Sequence, residues 1–194
     1  MEAIETIRDA VVEAVSGAQV EIIPSTPAAA QPALLVDREH VFAVAQLFKE
    51  DARWQMDFCS CVTAVDYLPK DDKPGHIEVV YHLYSVARKQ GPVVLKVRAP
   101  RELEQCRVPS LTPLWRGCEF QEREAYDLYG VTFAGHPDLR RILMWDEFTD
   151  FPMRKDYEPP ADYEWEPTPH DSTLDRAKVA GGVVPPTALE EKKK

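Results

Sequence analysis

Apolar residues recur along this chain with two different periods, and the periods divide it into helices and strands. Ile4, Ile7, Val11 and Val15 are spaced by three and four, which stripes one face of a helix that ends near Ser16 and Gly17. Gln19 to Ile23 is a short β-prone run, broken at Pro24 by a linker of alanines and prolines that reaches Pro32. Leu34 to Val36 reads as a second short strand. Asp37 then stands as an N-cap for a helix whose apolar face is Val41, Phe42, Val44, Ala45, Leu47 and Phe48 and which ends near Asp51.

Three strand-like runs follow, Phe58 to Tyr67, Ile77 to Val86 and Val93 to Arg98, joined by turns at Pro69 to Gly75 and Lys89 to Pro92. In the first, strict alternation places Cys59, Cys61, Thr63, Val65 and Tyr67 on the packed face. The middle run is apolar on both sides, as an interior strand would be. In the third, Lys96 and Arg98 share the face turned to solvent. The expected fold class is α+β, a two-layer antiparallel sheet meander with helices on one face and an extended C-terminal arm. Residues 1–150 form the domain and 151–194 the arm, because seven of the 17 prolines fall in that last stretch and no core pattern continues. Tyr157, Tyr163 and Trp165 make the arm too aromatic for a plain linker and suit it to strapping onto another surface.

Charge narrows the partners. Across 194 residues Lys and Arg total 23 against 33 Asp and Glu, a net charge of -10, so the average surface repels nucleic-acid phosphates and anionic lipid. The N-terminus is acidic where a secretory signal is basic, and no apolar run is long enough to span a bilayer. The chain is therefore expected in the cytoplasm with its four cysteines reduced, reaching a membrane only through partners. Cys59 and Cys61 with the distant Cys106 and Cys118 match no zinc or iron-sulfur spacing, and the five histidines are scattered. Dinucleotide, phosphate-loop and nucleophile-elbow motifs are missing as well. No cofactor is expected on this chain.

One stretch, from Cys118 to Arg141, arranges its charges unusually. On a helical wheel Cys118, Glu122, Ala125, Tyr126 and Tyr129 share a face, with Arg123 and Asp127 opposite as solvated decoration. A carboxylate on an apolar face needs a partner, and the nearest cations are Arg140 and Arg141, just past the turn at Gly135 to Asp138. Glu122 is thus expected to be clamped by those arginines, the loop folding back on the helix. Two other readings remain open at this level: a charge-laced helix facing water, and an acid/base set of Glu124, Asp127 and His136.

The same residues carry a resemblance. Glu122-Arg123-Glu124, Asp127-Leu128-Tyr129, His136, Arg140 and Ile142, at their spacings, resemble the signature of the thirty-kilodalton subunit family of respiratory complex I, the C-type subunit of bacterial NADH:quinone oxidoreductase. The likeness resumes at Pro152-Met153-Arg154-Lys155-Asp156-Tyr157 and departs from the family's habit at Trp145, Phe151 and Met153. The resemblance implies a non-catalytic subunit of the hydrophilic arm, peripheral on the cytoplasmic side of the membrane. FMN and iron-sulfur clusters would lie in partner subunits, and the chief partner would be the forty-nine-kilodalton, D-type, quinone-site subunit. Glu122, Arg123, Glu124, Asp127, His136, Arg140, Arg141, Arg154, Lys155, Asp156 and Tyr157 would form its structural and interface motif. An equivalent subunit of a membrane-bound hydrogenase, or of another donor:quinone complex, is the alternative within this resemblance.

Overall fold

The computed structural model describes residues 2–24 and 31–159. The expectations for the linker at 25–30, for Tyr163 and Trp165 and for the tail lie outside the described residues. In chain order the elements are α1 (Ile4–Ala14), β1 (Val20–Ile23), β2 (Ala33–Val36), α2 (Val41–Glu50), β3 (Phe58–Tyr67), β4 (His76–Ser85), β5 (Gln90–Pro100), β6 (Arg107–Pro109), α3 (Cys118–Tyr129) and β7 (Thr132–Ala134).

The fold is α+β. Five strands form one sheet in the order β1-β2-β5-β4-β3. Antiparallel pairing joins β3 to β4 and β4 to β5, the expected meander. The sheet as a whole is mixed, because β2 runs parallel to β5, with Leu34 opposite Leu95. A parallel neighbour requires a long crossover, and the α2-β3-β4 excursion between β2 and β5 supplies it. Two further short strands, β6 and β7, pair in parallel beside α3. At three residues each they are too short for an alternation to be read.

All three helices pack on one sheet face. Ile7 and Val11 of α1, Val44, Ala45 and Phe48 of α2, and Cys118 and Ala125 of α3 share one core with Ile77, Val79, Tyr81, Leu83, Leu95 and Val97. Each large aliphatic or aromatic side chain fully buried there contributes roughly 1.5–3 kcal/mol. On the other face Ala33, Val80 and Val94 form a small second cluster. Beside it Glu78 is buried between Lys96 Nζ at 2.7 Å and Arg98 Nε at 2.9 Å. Lys96 and Arg98, expected to meet only solvent, instead flank this carboxylate. Burial alone would raise the Glu78 pKa, but hydrogen bonds from the two cations bring it below its ordinary value.

Strand β3 corrects one expectation. Its pairing with β4 slips between Cys59 and Cys61, so Ser60 is an extra residue and everything after it changes face. Cys59 packs inward as expected, but beyond the bulge Val62, Ala64 and Asp66 are the inward residues and Thr63 and Tyr67 are exposed.

The first compact unit of the chain runs to Tyr157. Residues 151–157, placed with the arm on composition, are therefore described with the domain.

Candidate functional site

Helix α3 has two buried sides. Cys118, Glu122 and Ala125 face the core, while Arg123 and Asp127, four residues apart and so on one side, face the segment that follows β7. Glu122 and Asp127 are 0% exposed and Arg123 is 5% exposed. Gly130 ends the helix at φ 75°, its N–H donating to the Tyr126 carbonyl at 2.8 Å. A side chain there would press on Leu103 and Phe151.

Glu122 is buried as expected but has a different partner. Its carboxylate accepts hydrogen bonds from Ser110 Oγ at 2.6 Å, the Leu111 N–H at 2.8 Å and Thr112 Oγ1 at 3.2 Å. The expected clamp with Arg140 and Arg141 does not form. Those arginines lie against the other side of the helix, five residues and about 140° further round. The Arg140 side chain is exposed and pairs with Asp138 at 2.9 Å. Burial without a cation pushes the Glu122 pKa up, opposed by hydrogen bonds from Ser110, Leu111 and Thr112. A group whose folded pKa is raised lends stability below its unfolded value, which is lost as pH climbs through the folded value. Glu122→Gln is expected to abolish that decline and to leave stability at neutral pH unchanged or raised by about 1–2 kcal/mol. Urea midpoints between acid and neutral pH check this, and a large loss at neutral pH would contradict it.

The clamp exists at Asp127. Its Oδ1 accepts from Arg141 Nη1 at 2.7 Å, and its Oδ2 accepts from three successive amides, Ile142 at 3.0 Å, Leu143 at 2.7 Å and Met144 at 2.9 Å. Burial alone would raise this carboxyl, but the Met144 and Leu143 amides, the Arg141 guanidinium and the Ile142 amide together hold it below its ordinary range. Arg123 returns the contact from the helix: Nε donates to the Arg140 carbonyl at 3.1 Å and Nη2 to the Arg141 carbonyl at 2.9 Å. Arg141 also lies over Phe148 and Phe151, its guanidinium carbon 5.4 and 5.3 Å from the ring centroids. The pair expected as solvated decoration is thus the pair that holds the loop.

His136 fastens the turn before it. The Asp138 N–H donates to Nδ1 at 3.1 Å, so Nε2 carries the proton it donates to the Glu119 carbonyl at 3.0 Å. Glu124 is exposed. No hydrogen bond joins Glu124, Asp127 and His136 among the described residues, and both His136 nitrogens and both Asp127 oxygens are engaged elsewhere. That arrangement does not assemble an acid/base set.

A second anchor holds residues 151–157, through residues that sequence reasoning passed over. Buried Asp66 accepts from Arg101 Nε at 2.7 Å and Nη2 at 3.0 Å and from the Lys155 N–H at 2.9 Å. Arg101 also reaches Asp156 at 2.6 Å. Arg154 Nε donates to the Tyr129 carbonyl and Nη1 to the Arg101 carbonyl, both at 2.8 Å. Lys155 Nζ lies 5.7 Å from the Tyr67 ring centroid, and Tyr157 meets Phe148 edge-on at 6.3 Å. Neither Asp66 nor Arg101 carried a sequence signal beyond a lone charge in a strand and another just after one. Likewise, no motif or periodicity singled out Ser110 and Thr112.

Among the described residues no three His, Cys, Asp or Glu side chains gather as metal ligands. Cys59 and Cys118 are neighbours in the core, and Cys106 is buried apart.

Known proteins are similar to this chain in sequence. The profile of the family described as respiratory-chain NADH dehydrogenase, 30 Kd subunit, matches residues 34–163. The C subunit of NADH-quinone oxidoreductase from Moorella thermoacetica is 44% identical over 126 residues, 65% of this chain and 79% of that one. Its counterpart from Citrifermentans bemidjiense is 41% identical over 122 residues, 63% of this chain and 71% of its own. In Rhizobium etli, the NADH-quinone oxidoreductase C subunit numbered 2 is 43% identical over 122 residues, 63% of this chain and 62% of its own. Among solved structures, the trypsin-resistant fragment of Nqo5 aligns with TM-score 0.51 and 28% identity, covering 70% of this chain and 98% of the fragment. A chain of the membrane-bound sulfane sulfur reductase, an archaeal respiratory membrane complex, shares the fold with TM-score 0.62 at 23% identity, covering 95% of both chains. The matched stretch contains both anchors, and the chain belongs to the family of the 30 Kd subunit of respiratory-chain NADH dehydrogenase.

Proposed function

We infer that this chain is a non-catalytic subunit of the hydrophilic arm of a proton-pumping NADH:quinone oxidoreductase, bracing the forty-nine-kilodalton subunit that forms the quinone site. The observation that carries the reading is the buried Asp127 carboxylate, fully engaged by Arg141 and three loop amides. A carboxylate so occupied has no proton to transfer and no face open to a substrate. What it does is hold a loop in one shape, which lowers the ordering cost when that loop meets another protein.

In this reading FMN and iron-sulfur clusters belong to partner subunits, and electrons do not pass through this chain. It sits on the cytoplasmic side of the membrane, held there by its partners. No described helix is long and apolar enough to cross a membrane.

Affinity purification of the tagged full-length chain from its native membrane tests the reading. The expected eluate carries flavin and iron-sulfur absorbance and oxidises NADH with quinone as acceptor. A cluster-bearing eluate that reduces quinone only from hydrogen or another donor would move the chain to a related complex. Recovery of the chain alone, with the membrane's NADH:quinone activity left behind, would contradict the assignment.

A further inference from the structure

The loop that Asp127 pins is apolar where it meets solvent. Leu143 is 62% exposed, Met153 52% and Ile142 38%, and Phe120, on the first turn of α3, is 60% exposed. Single exposed apolar side chains are ordinary, but several on segments fastened to one helix mark an interaction surface. These residues are tied to one scaffold. The Ile142 and Leu143 amides bind Asp127, the Met153 N–H donates to the Leu128 carbonyl at 3.1 Å, and Phe120 stacks 5.7 Å from the Arg123 guanidinium that holds the Arg140 and Arg141 carbonyls.

Every charge between Ile142 and Met153 is acidic, and the exposed Lys155 just beyond lies over the Tyr67 ring. Arg141 and Arg154 turn inward to Asp127 and to the Tyr129 and Arg101 carbonyls, and Arg140 pairs with Asp138. Asp146, Glu147 and Asp150 are exposed and form no ion pair among the described residues. An apolar centre with an acidic rim fits an apolar depression edged by lysine or arginine. A second copy of this chain would bring the same acidic rim and a net charge of -10, and an anionic bilayer would repel the rim as well.

We propose that Phe120, Ile142, Leu143 and Met153, rimmed by Asp146, Glu147 and Asp150, dock on a basic-edged apolar surface of another subunit of the oxidoreductase. The proposal rests on the membership argued above and adds the surface and its partner's chemistry. Because Asp127 fixes the loop beforehand, little backbone entropy is lost on docking.

The test uses the tagged full-length chain, expressed in place of the native one and purified from the membrane, with flavin and iron-sulfur absorbance per mole of chain as the readout. Leu143→Asp is expected to lower it about tenfold or more, and so is the combined change Asp146→Lys, Glu147→Lys and Asp150→Lys. Val12→Asp, at an exposed position of α1, should leave it unchanged. All changes are at exposed positions, and matching thermal midpoints verify the fold. Wild-type yield from both the Leu143 and the acidic-rim variants would overturn the proposal while leaving membership intact. A wild-type chain that itself brings no flavin or clusters would overturn the membership reading, and this proposal with it. Self-association, or binding to phosphatidylglycerol vesicles, that Leu143→Asp abolishes would assign the surface to a different occupant and overturn the proposal.

Discussion

Asp127→Ala is expected to cost about 3–5 kcal/mol of folding free energy, the range for breaking one side of a buried, hydrogen-bonded ion pair. The loss has two sources. Arg141, with its side chain 11% exposed, is left with an uncompensated charge, and the amides of Ile142, Leu143 and Met144 lose their shared acceptor. Asp127→Asn keeps the shape and one acceptor oxygen, so it should cost less than alanine. The pH dependence has a definite sign. Because the folded Asp127 pKa is lowered, its contribution is full above the unfolded value and disappears as pH falls through the folded one. This is opposite to Glu122, so urea midpoints of the two single variants across acid pH should diverge from wild type in opposite directions. Equal midpoints for Asp127→Ala and wild type at neutral pH would contradict the account.

The second large effect is expected at Asp66. Asp66→Ala removes the bidentate partner of Arg101 and the acceptor of the Lys155 amide, for a cost of about 3–4 kcal/mol. Residues 151–157 should loosen with it, because Arg154 and Asp156 both fasten to Arg101. Limited trypsin digestion then cuts after Arg154 or Lys155 much faster than in wild type. Adding Arg101→Met should recover part of the lost stability, since it removes the stranded charge. Unchanged cleavage in Asp66→Ala would show that residues 151–157 do not depend on this anchor.

Much of the α+β layout is legible from periodicity alone. The stripe Ile7 and Val11, the broad face of α2 and the alternation of Val93, Leu95 and Val97 in β5 name core residues because one apolar surface covers each of them. The parallel contact of β2 with β5 is another matter. A four-residue strand carries no sign of its neighbour's direction, and the antiparallel meander is the simpler chain path. In β3 a single bulge at Ser60 exchanged the two faces, and alternation has no signature for an extra residue.

The site was half legible for a related reason. Glu122 stood out because its neighbours on the wheel are apolar, and it is indeed buried. Arg123 and Asp127 looked solvated because the surface covering them is backbone: the carbonyls of Arg140 and Arg141 and the amides of Ile142 to Met144. A helix face packed against peptide groups must carry polar side chains, so on a wheel it is indistinguishable from a face packed against water. The spaced resemblance from Glu122 to Ile142 includes both kinds of residue, and it identified a stretch whose contacts periodicity misassigned.

Hydrogen exchange of the Ile142, Leu143 and Met144 amides in the free full-length chain tests most directly whether the loop is shaped before any partner arrives. Donated to a buried carboxylate, these three amides should be strongly protected in wild type and should lose most of that protection in Asp127→Ala, which leaves them no side-chain acceptor, while amides of α2 and β4 change little. Exchange of all three at the rate of an unstructured peptide in the wild-type chain would contradict the account, since a loop already free in solution is not being held for docking.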